Sequence, residues 1–430
     1  MTSTQPLRVA IAGLGTVGGG VIRLLDANRD LIARRAGRPI EIVAVSARDR
    51  AKDRGVDITR FGWIDDPTKL AEADADVIVE LIGGADGPAL ALARATLAAG
   101  KGFVTANKAM IAHHGLELAA LAEARRAPLK FEAAVAGGIP VIKGLREGAA
   151  ANDIARVYGI LNGTCNFILS KMEAEQRDFA DVLAEAQALG YAEADPRFDI
   201  DGIDAAHKLS ILASIAFGTQ PMFDAVAAGG IRDVLAADIA ETAALGYRIR
   251  LIGLAEAGPD GLFQRVHPYL VPLDHPLAHV AGATNAVVAE GNFVGRLLFQ
   301  GAGAGDGPTA SAVVADLIDI ARGEYGAPYA MPAADLATPT PADSGMRRGR
   351  AYVRFTVADK VGVLAEIAAA MRDAGVSIES LIQRGRVGDG SVLVAIVTHE
   401  APESAVAQAL NQLRGSASLT GQPLWMHILV

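Results

Sequence analysis

Residues 7–12, LRVAIA, form an apolar run that stops at glycines and passes into a helix-like segment from Val17 to Leu25. That pattern is a buried strand, a tight turn and a helix. Further apolar runs follow at 40–45 (IEIVAV), 77–82 (VIVELI), 103–105 (FVT) and 129–135 (LKFEAAV), with helical patterns such as 88–99 and 115–125 between them. Strands that alternate with helices return parallel through right-handed crossovers, so the expected fold class is α/β with a doubly wound, mostly parallel sheet of the Rossmann type. This first domain is placed at 1–136, joined by a segment at about 308–325.

From Gly137 the texture changes. GGIPVIKGLREG and the loop NGTCN precede a helical run, 167–190, that Gly190 stops, and a second helix, about 203–217, carries Lys208. The β-prone segments 249–256, 262–271 and 285–300 suggest a mixed α+β domain over 137–307, expected to hold substrate and support oligomerisation. GAGAGDG at 301–307 leads into Pro308, a suitable first helical residue, and the amphipathic TASAVVADLIDIAR. Residues 326–349 are Pro/Ala-rich without periodicity and read as a linker. After it, strand 351–357, helix 361–374, strands 376–383 and 391–398, helix 402–413 and strand 424–429 spell a ferredoxin-like βαββαβ unit over 350–430.

A length of 430 residues sets a prior of about three domains. With 51% hydrophobic and 21% charged residues, each can bury a core. The formal charge of -9 comes without a long basic run, so nucleic acid and anionic membranes are not expected partners. Cys165 is the only cysteine, which excludes an intrachain disulfide and a thiolate metal cluster. No run of about 18 apolar residues and no basic leader is present, so a cytoplasmic protein is expected.

Gly13-Leu14-Gly15-Thr16-Val17-Gly18 sits after the first strand and opens a helix, where a dinucleotide fingerprint has to sit. Gly13 allows the tight turn, Gly15 the approach of a pyrophosphate and Gly18 close helix–strand packing. At the end of the second strand, VAVSARDR, Ala47, Arg48 and Arg50 replace the acidic residue that would hold a ribose 2′-hydroxyl. An arginine there suits a 2′-phosphate, so NADP is favoured over NAD.

Lys108, in VTANKAM, follows a strand near the carboxyl edge of the sheet, where ligands bind in such folds. A second charged group comprises GYAEADP at 190–196 with Glu193, then Asp199, Asp204 and Lys208. Asp204 and Lys208 are four apart and share a helix face. On a wet surface they would be a weak ion pair. Ile203, Leu209, Ile211, Leu212 and Ile215 make this helix apolar on several sides, however, and a lysine held there by a carboxylate can exchange a proton with a reacting oxygen. His207 points about 100° away and reads as structural. Cys165, in a glycine turn without a nearby histidine, reads as a packed thiol rather than a nucleophile.

The series GLGTVGGGV, VTANKAM, EAAVAGGIPVI, LNGTCNFIL, GYAEADP, DIDGIDAAHKLSILA and GAGAGDGPTASAVVADL resembles homoserine dehydrogenases over nearly all of residues 7–322. TVADKVGVLAEIAAAMRDAGVSIESL resembles an ACT domain, as in the long bacterial form of that family. The resemblance implies NAD(P)H-dependent, reversible reduction of L-aspartate 4-semialdehyde to L-homoserine in threonine, methionine and isoleucine biosynthesis. Lys208 is then the proton donor, Lys108 a second catalytic cation and Asp204 their partner. Glu193 and Asp204 bind the amino acid, with Asp199 in support. Gly13, Thr16, Val17, Lys108, Gly190 and Gly307 fall on the family's cofactor positions, and Gly15, Gly18, Arg48 and Glu193 are candidate cofactor-binding residues beside them. Glu132, Val135, Gly137 and Ile139 match a structural site for sodium or another monovalent cation, formed by carbonyls and a carboxylate. Asp359, Gly362, Val363 and Leu364 mark a regulatory loop for an amino-acid effector such as L-threonine. Exposed edge strands imply a homodimer or homotetramer. Cys165 departs from a frequent threonine, and Val361 from a common proline. The competing readings are another Rossmann oxidoreductase of amino acids or semialdehydes, and an inactive amino-acid-sensing regulator.

Overall fold

The computed structural model describes residues 5–386 and 391–430. Among them, the first domain contains a six-stranded parallel sheet in the order Gly62–Trp63, Ile40–Ser46, Leu7–Ala12, Val77–Glu80, Gly102–Thr105 and Leu129–Lys130. The strand order reverses beside Leu7–Ala12, so a crevice opens at its carboxyl end, directly at Gly13. The helix Asp306–Arg322 returns to this domain. Its Ala310, Val313, Leu317 and Ile320 share a core with Val9, Ile11, Val21 and Ile22. It approaches the helix Thr16–Ala27 so closely that a Cβ on Gly20 would lie 1.8 Å from Asp306 Oδ1.

Several elements depart from the expected bounds. The 129–135 strand ends at Lys130, and Glu132–Ala134 is a 3₁₀ turn. Its cause lies downstream: the Glu132 carboxylate accepts the N–H groups of Ile142 at 3.0 Å and Lys143 at 2.9 Å, which pulls the chain out of the sheet. The 167–190 run is two helices, Gly163–Glu175 and Phe179–Ala188, separated where Gln176 is left-handed with φ 53°. The 115–125 helix begins earlier, at Lys108, because Asn107 accepts Met110 N–H at 3.0 Å and caps it. The 285–300 segment is a hairpin, Thr284–Gly291 and Gly295–Ala302. Pro308 falls inside the first turn of a helix that starts at Asp306.

The second sheet is ten-stranded and runs through two domains. Gly295–Ala302, Thr284–Gly291, Ile154–Ile160, Tyr247–Gly258 and Gly261–Pro272 are followed by the four C-terminal strands, Leu424–Ile428, Ala351–Ala358, Ser391–Thr398 and Ile378–Arg386, and the short Ala227–Ala228 pairs with Gly261–Pro272 off this path. The C-terminal unit is βαββαβ as expected, but one of its edges is not exposed. Leu424–Ile428 pairs in parallel with Gly261–Pro272 through Tyr269↔His427 and Leu270↔Ile428. That edge is therefore spent inside the chain, and Ile378–Arg386 is the outer strand on this side.

Buried charges fasten the same junction. Arg265 donates to Glu403 at 2.6 and 2.9 Å, and Arg354 to both oxygens of Asp238 at 2.9 and 3.1 Å. Tyr352 adds a hydroxyl to Asp238 at 2.9 Å. Residues 326–349, expected as a linker, lack long elements but are bound down along their length. Tyr329 is fully buried against Phe131, Ala333 N–H reaches Glu123 at 3.0 Å, and Thr340 O accepts Leu262 N–H at 2.8 Å.

Because Asp238 satisfies Arg354 and Tyr352 where water cannot replace it, removing it strands a buried cation. Asp238→Ala is expected to cost about 3–5 kcal/mol, read as a lowered denaturation midpoint, and the double change Asp238→Leu with Arg354→Met to recover most of it.

Candidate active site

A cavity of about 520 Å³ lies between the first two domains, with Val17, Ala106 and Lys108 on one wall and Asn162, Thr164, Asp199, Asp204 and Lys208 on the other. Lys108 is the first residue of its capped helix, so its side chain leaves the sheet edge toward the second domain. Asp204 and Lys208 occupy successive turns of Ile203–Phe217. Asp204 Oδ1 lies 2.9 Å from Lys108 Nζ, and Asp204 Oδ2 accepts Lys208 Nζ at 2.7 Å. Lys208 also donates to the Leu161 carbonyl at 2.8 Å.

Burial decides between a wet ion pair and a working one. Asp204 is 3% exposed and Lys208 8%. Burial alone would raise the Asp204 carboxyl, but Lys208 and Lys108 outweigh it and hold it well below the usual carboxylate range. Burial likewise opposes the charge on Lys108, yet Asp204, with Asp199 and Glu193 behind it, raises its pKa. Asp199 is pushed up by burial and by neighbouring Asp204, against a hydrogen bond from Asn162. The arrangement presents ammonium groups, fixed by one carboxylate, to whatever occupies the cavity.

The dinucleotide turn has the shape its glycines suggest. Gly13 has φ +100°, and a Cβ there would meet Leu81 O at 2.5 Å. A Cβ on Gly18 would lie 2.1 Å from Gly13 O, whereas at Gly15 it would meet nothing within 4 Å among the described residues, which leaves room for a ligand. A groove of about 650 Å³ runs from Gly13 and Gly15 past Ser46 to Arg48, Lys52 and Arg54. Arg50 instead stacks on Trp63, 5.6 Å from the ring.

The homoserine dehydrogenase profile matches residues 140–318, its NAD-binding domain 13–132 and the ACT domain 351–415. Homoserine dehydrogenases of Pseudomonas aeruginosa and Neisseria gonorrhoeae are 45% and 44% identical, over 97% and 94% of both chains. The chain belongs to the homoserine dehydrogenase family. Among solved members, the enzyme of Thiobacillus denitrificans superposes with a TM-score of 0.93 at 41% identity, covering 100% of this chain and 99% of that one. A hyperthermophilic archaeal homoserine dehydrogenase in complex with NADPH gives 0.65 at 27% identity, covering 75% of this chain and 100% of that one. The chain is thus an oxidoreductase of this family, with a nicotinamide-dinucleotide domain, a catalytic domain and an ACT domain.

Against that homoserine dehydrogenase frame, some residues expected at the site stand apart. Glu193 is exposed, its carbonyl bound by Gln187 Nε2 at 3.0 Å, and it does not line the cavity. Gly190 does line it, with φ +77°. Gly307 lies in the first turn of Asp306–Arg322, flanked by Gly305 and Thr309, which do face the cavity. Cys165 is fully buried, 3.3 Å from the Asp199 carbonyl, and burial pushes its thiol up, as a packed side chain requires. His207 stacks on Phe223 with centroids 4.2 Å apart, and burial with His113 beside it lowers its pKa to about 4. Both carboxylate oxygens of Glu132 accept helix N–H groups, from Ile142 and Lys143. Burial and Asp316 push this carboxyl up to about 7. Asp359, Gly362, Val363 and Leu364 together line a cavity of about 260 Å³ with Gln383 and Val394.

Sequence reasoning missed Asn162, which bridges Asp199 and Asp204, and Arg54, which donates to the carbonyls of Leu14 at 3.0 Å and Lys52 at 2.6 Å. Arg54 was signalled only by the alternation of basic residues at 48, 50, 52 and 54.

Proposed function

We propose that this homoserine dehydrogenase catalyses the reversible, NAD(P)H-dependent reduction of L-aspartate 4-semialdehyde to L-homoserine. The observation that carries this is the buried Lys108–Asp204–Lys208 bridge, in a cavity that Val17 of the dinucleotide turn also lines. A nicotinamide bound at the Gly13–Gly18 turn would supply the hydride. As it arrives, negative charge grows on the aldehyde oxygen, and ammonium groups already in place favour that state over the neutral aldehyde. Lys208 supplies the proton to the oxygen, and Asp204 holds its ammonium in line. Lys108 comes from the cofactor-binding domain, so the same bridge fixes the substrate wall relative to the cofactor wall. Lys208→Ala leaves Asp204 paired with Lys108 and is expected to fold. Its kcat for homoserine oxidation should fall by about two or more orders of magnitude; a near wild-type kcat would reduce the pair to a salt bridge.

NADP is the favoured cofactor, because Arg48, Lys52 and Arg54 line the groove beyond the second strand and outnumber the carboxylates of Asp49 and Asp65 that also line it. The NADPH complex of the archaeal relative supports this. Arg48→Ala should shift the ratio of kcat/KM values toward NAD by about tenfold. A strong NAD preference in the wild type that survives the change would overturn it. Sodium, or another monovalent cation, fits as a structural ion held by the main-chain oxygens of Glu132, Val135, Gly137 and Ile139. Successive left-handed residues, Ala136 and Gly137, reverse the chain between them.

The reaction is read as a cytoplasmic step toward threonine, methionine and isoleucine, with L-threonine acting back through the cavity at Asp359–Leu364. No helix among the described residues is long and apolar enough to cross a membrane. Assembly as a homodimer or homotetramer is favoured by the outer strands of the long sheet, Gly295–Ala302 and Ile378–Arg386, where Leu298 and Leu381 are exposed. Because Leu424–Ile428 belongs to the shared sheet, the regulatory test needs the full chain. Threonine should inhibit the intact enzyme, with a coupling energy of about 1–3 kcal/mol. Gly362→Val, which forces a β-branched residue to φ +93°, should abolish the effect. If calorimetry and activity both ignore threonine, the domain is an assembly module.

A further inference from the structure

Asn162 precedes the helix Gly163–Glu175 and is 3% exposed. Its Oδ1 accepts Cys165 N–H at 2.8 Å, which caps the helix. Its Nδ2 donates to Asp199 Oδ1 and to Asp204 Oδ2, each at 2.8 Å. A cap needs only an acceptor, which serine or aspartate supplies equally well. The donating half of the amide therefore serves something else, and both of its hydrogens are engaged.

Counting donors on the two carboxylates shows what that is. Asp204 has Lys108 on Oδ1, and Lys208 with Asn162 on Oδ2. Asp199 has Asn162 on Oδ1 but, among the described residues, only the Thr164 hydroxyl, at 3.4 Å, on Oδ2. Asp199 lines the cavity, and Oδ2 is its less occupied oxygen. We infer that Asn162 is a positioning residue for substrate binding: it fixes Asp199 and Asp204 relative to each other and leaves Asp199 Oδ2 to accept from the amino-acid substrate. This rests on the proposed homoserine reaction and names a residue through which its substrate wall is built.

The groups facing Asp199 are Asp204 and Lys208 from Ile203–Phe217, Lys108 from Lys108–Arg125, and Asn162, Thr164 and Cys165 from around the start of Gly163–Glu175. Burial and then Asp204 raise the Asp199 carboxyl, whereas Asn162 lowers it by hydrogen-bonding to the ionised form. Without the amide, Asp199 binds its proton at higher pH, so affinity for the substrate is lost earlier as pH falls.

Asn162→Ser keeps the cap and removes both donors. Full-length enzyme with NADP and homoserine should show a thermal midpoint near that of the wild type, a KM raised about tenfold with kcat changed less, and an acid break in kcat/KM moved up by about one pH unit. Asn162→Asp keeps the cap and adds a third carboxylate, so its acid break should move further. Either variant, folded and with wild-type KM and acid break, overturns the inference and leaves Asn162 as a helix cap. A wild-type enzyme that fails to oxidise homoserine would instead overturn the proposed reaction, so the two failures are separable.

Discussion

One carboxylate, Asp204, organises the molecule. It is buried, it receives a lysine from each of two domains, and those cations, with the Asn162 amide, make its charge tolerable away from water. The helix Ile203–Phe217 therefore cannot be placed independently of Lys108–Arg125. The gap between the parallel sheet and the mixed sheet is set by the reach of a lysine, and the substrate cavity is what remains between them. A buried ion pair is weak evidence for stability, but here it fixes a distance.

The parts of the fold that were legible in the sequence are those in which neighbours along the chain decide the outcome. The glycine spacing at 13, 15 and 18 depends on the turn itself, and the four-residue interval between Asp204 and Lys208 is a property of any helix. The βαββαβ order at the C-terminus was likewise local. What could not be read depends on partners far along the chain. The strand at 129–135 ends because Glu132 is drawn to N–H groups ten and eleven residues away. Asn162 looked like a loop residue because its carboxylate partners are 37 and 42 residues downstream. Residues 326–349 looked like a free linker because composition carries no trace of the surfaces that hold Tyr329 and Ala333.

The same distinction explains the C-terminal domain. Its topology suggested a unit with edges on both sides, ready to meet another subunit. One edge is used within the chain, and Arg265–Glu403 and Arg354–Asp238 are sealed beneath it. Motion of this domain relative to the catalytic sheet would have to break ladder hydrogen bonds and expose buried charges together. The shared ladder thus favours a tilt of the common sheet over a swing of the C-terminal domain. Tyr158, Leu254 and Val266 in that sheet lie in or beside the strands that support Leu161, the residue whose carbonyl holds Lys208.

The return of Asp306–Arg322 to the first domain has a consequence for the order in which the chain can acquire its structure. Val21 and Ile22 are completed on one side by Val313 and Leu317, nearly three hundred residues later. During synthesis at roughly 5–20 residues per second, the nucleotide-binding half emerges with one flank of its core uncovered. It stays so until the catalytic domain has been made. Strand Gly261–Pro272 is likewise completed on one side only when Leu424–Ile428 has been made. Nascent segments of this protein thus display apolar surface for on the order of tens of seconds, and each domain closes only after the distant segment that completes it has been made.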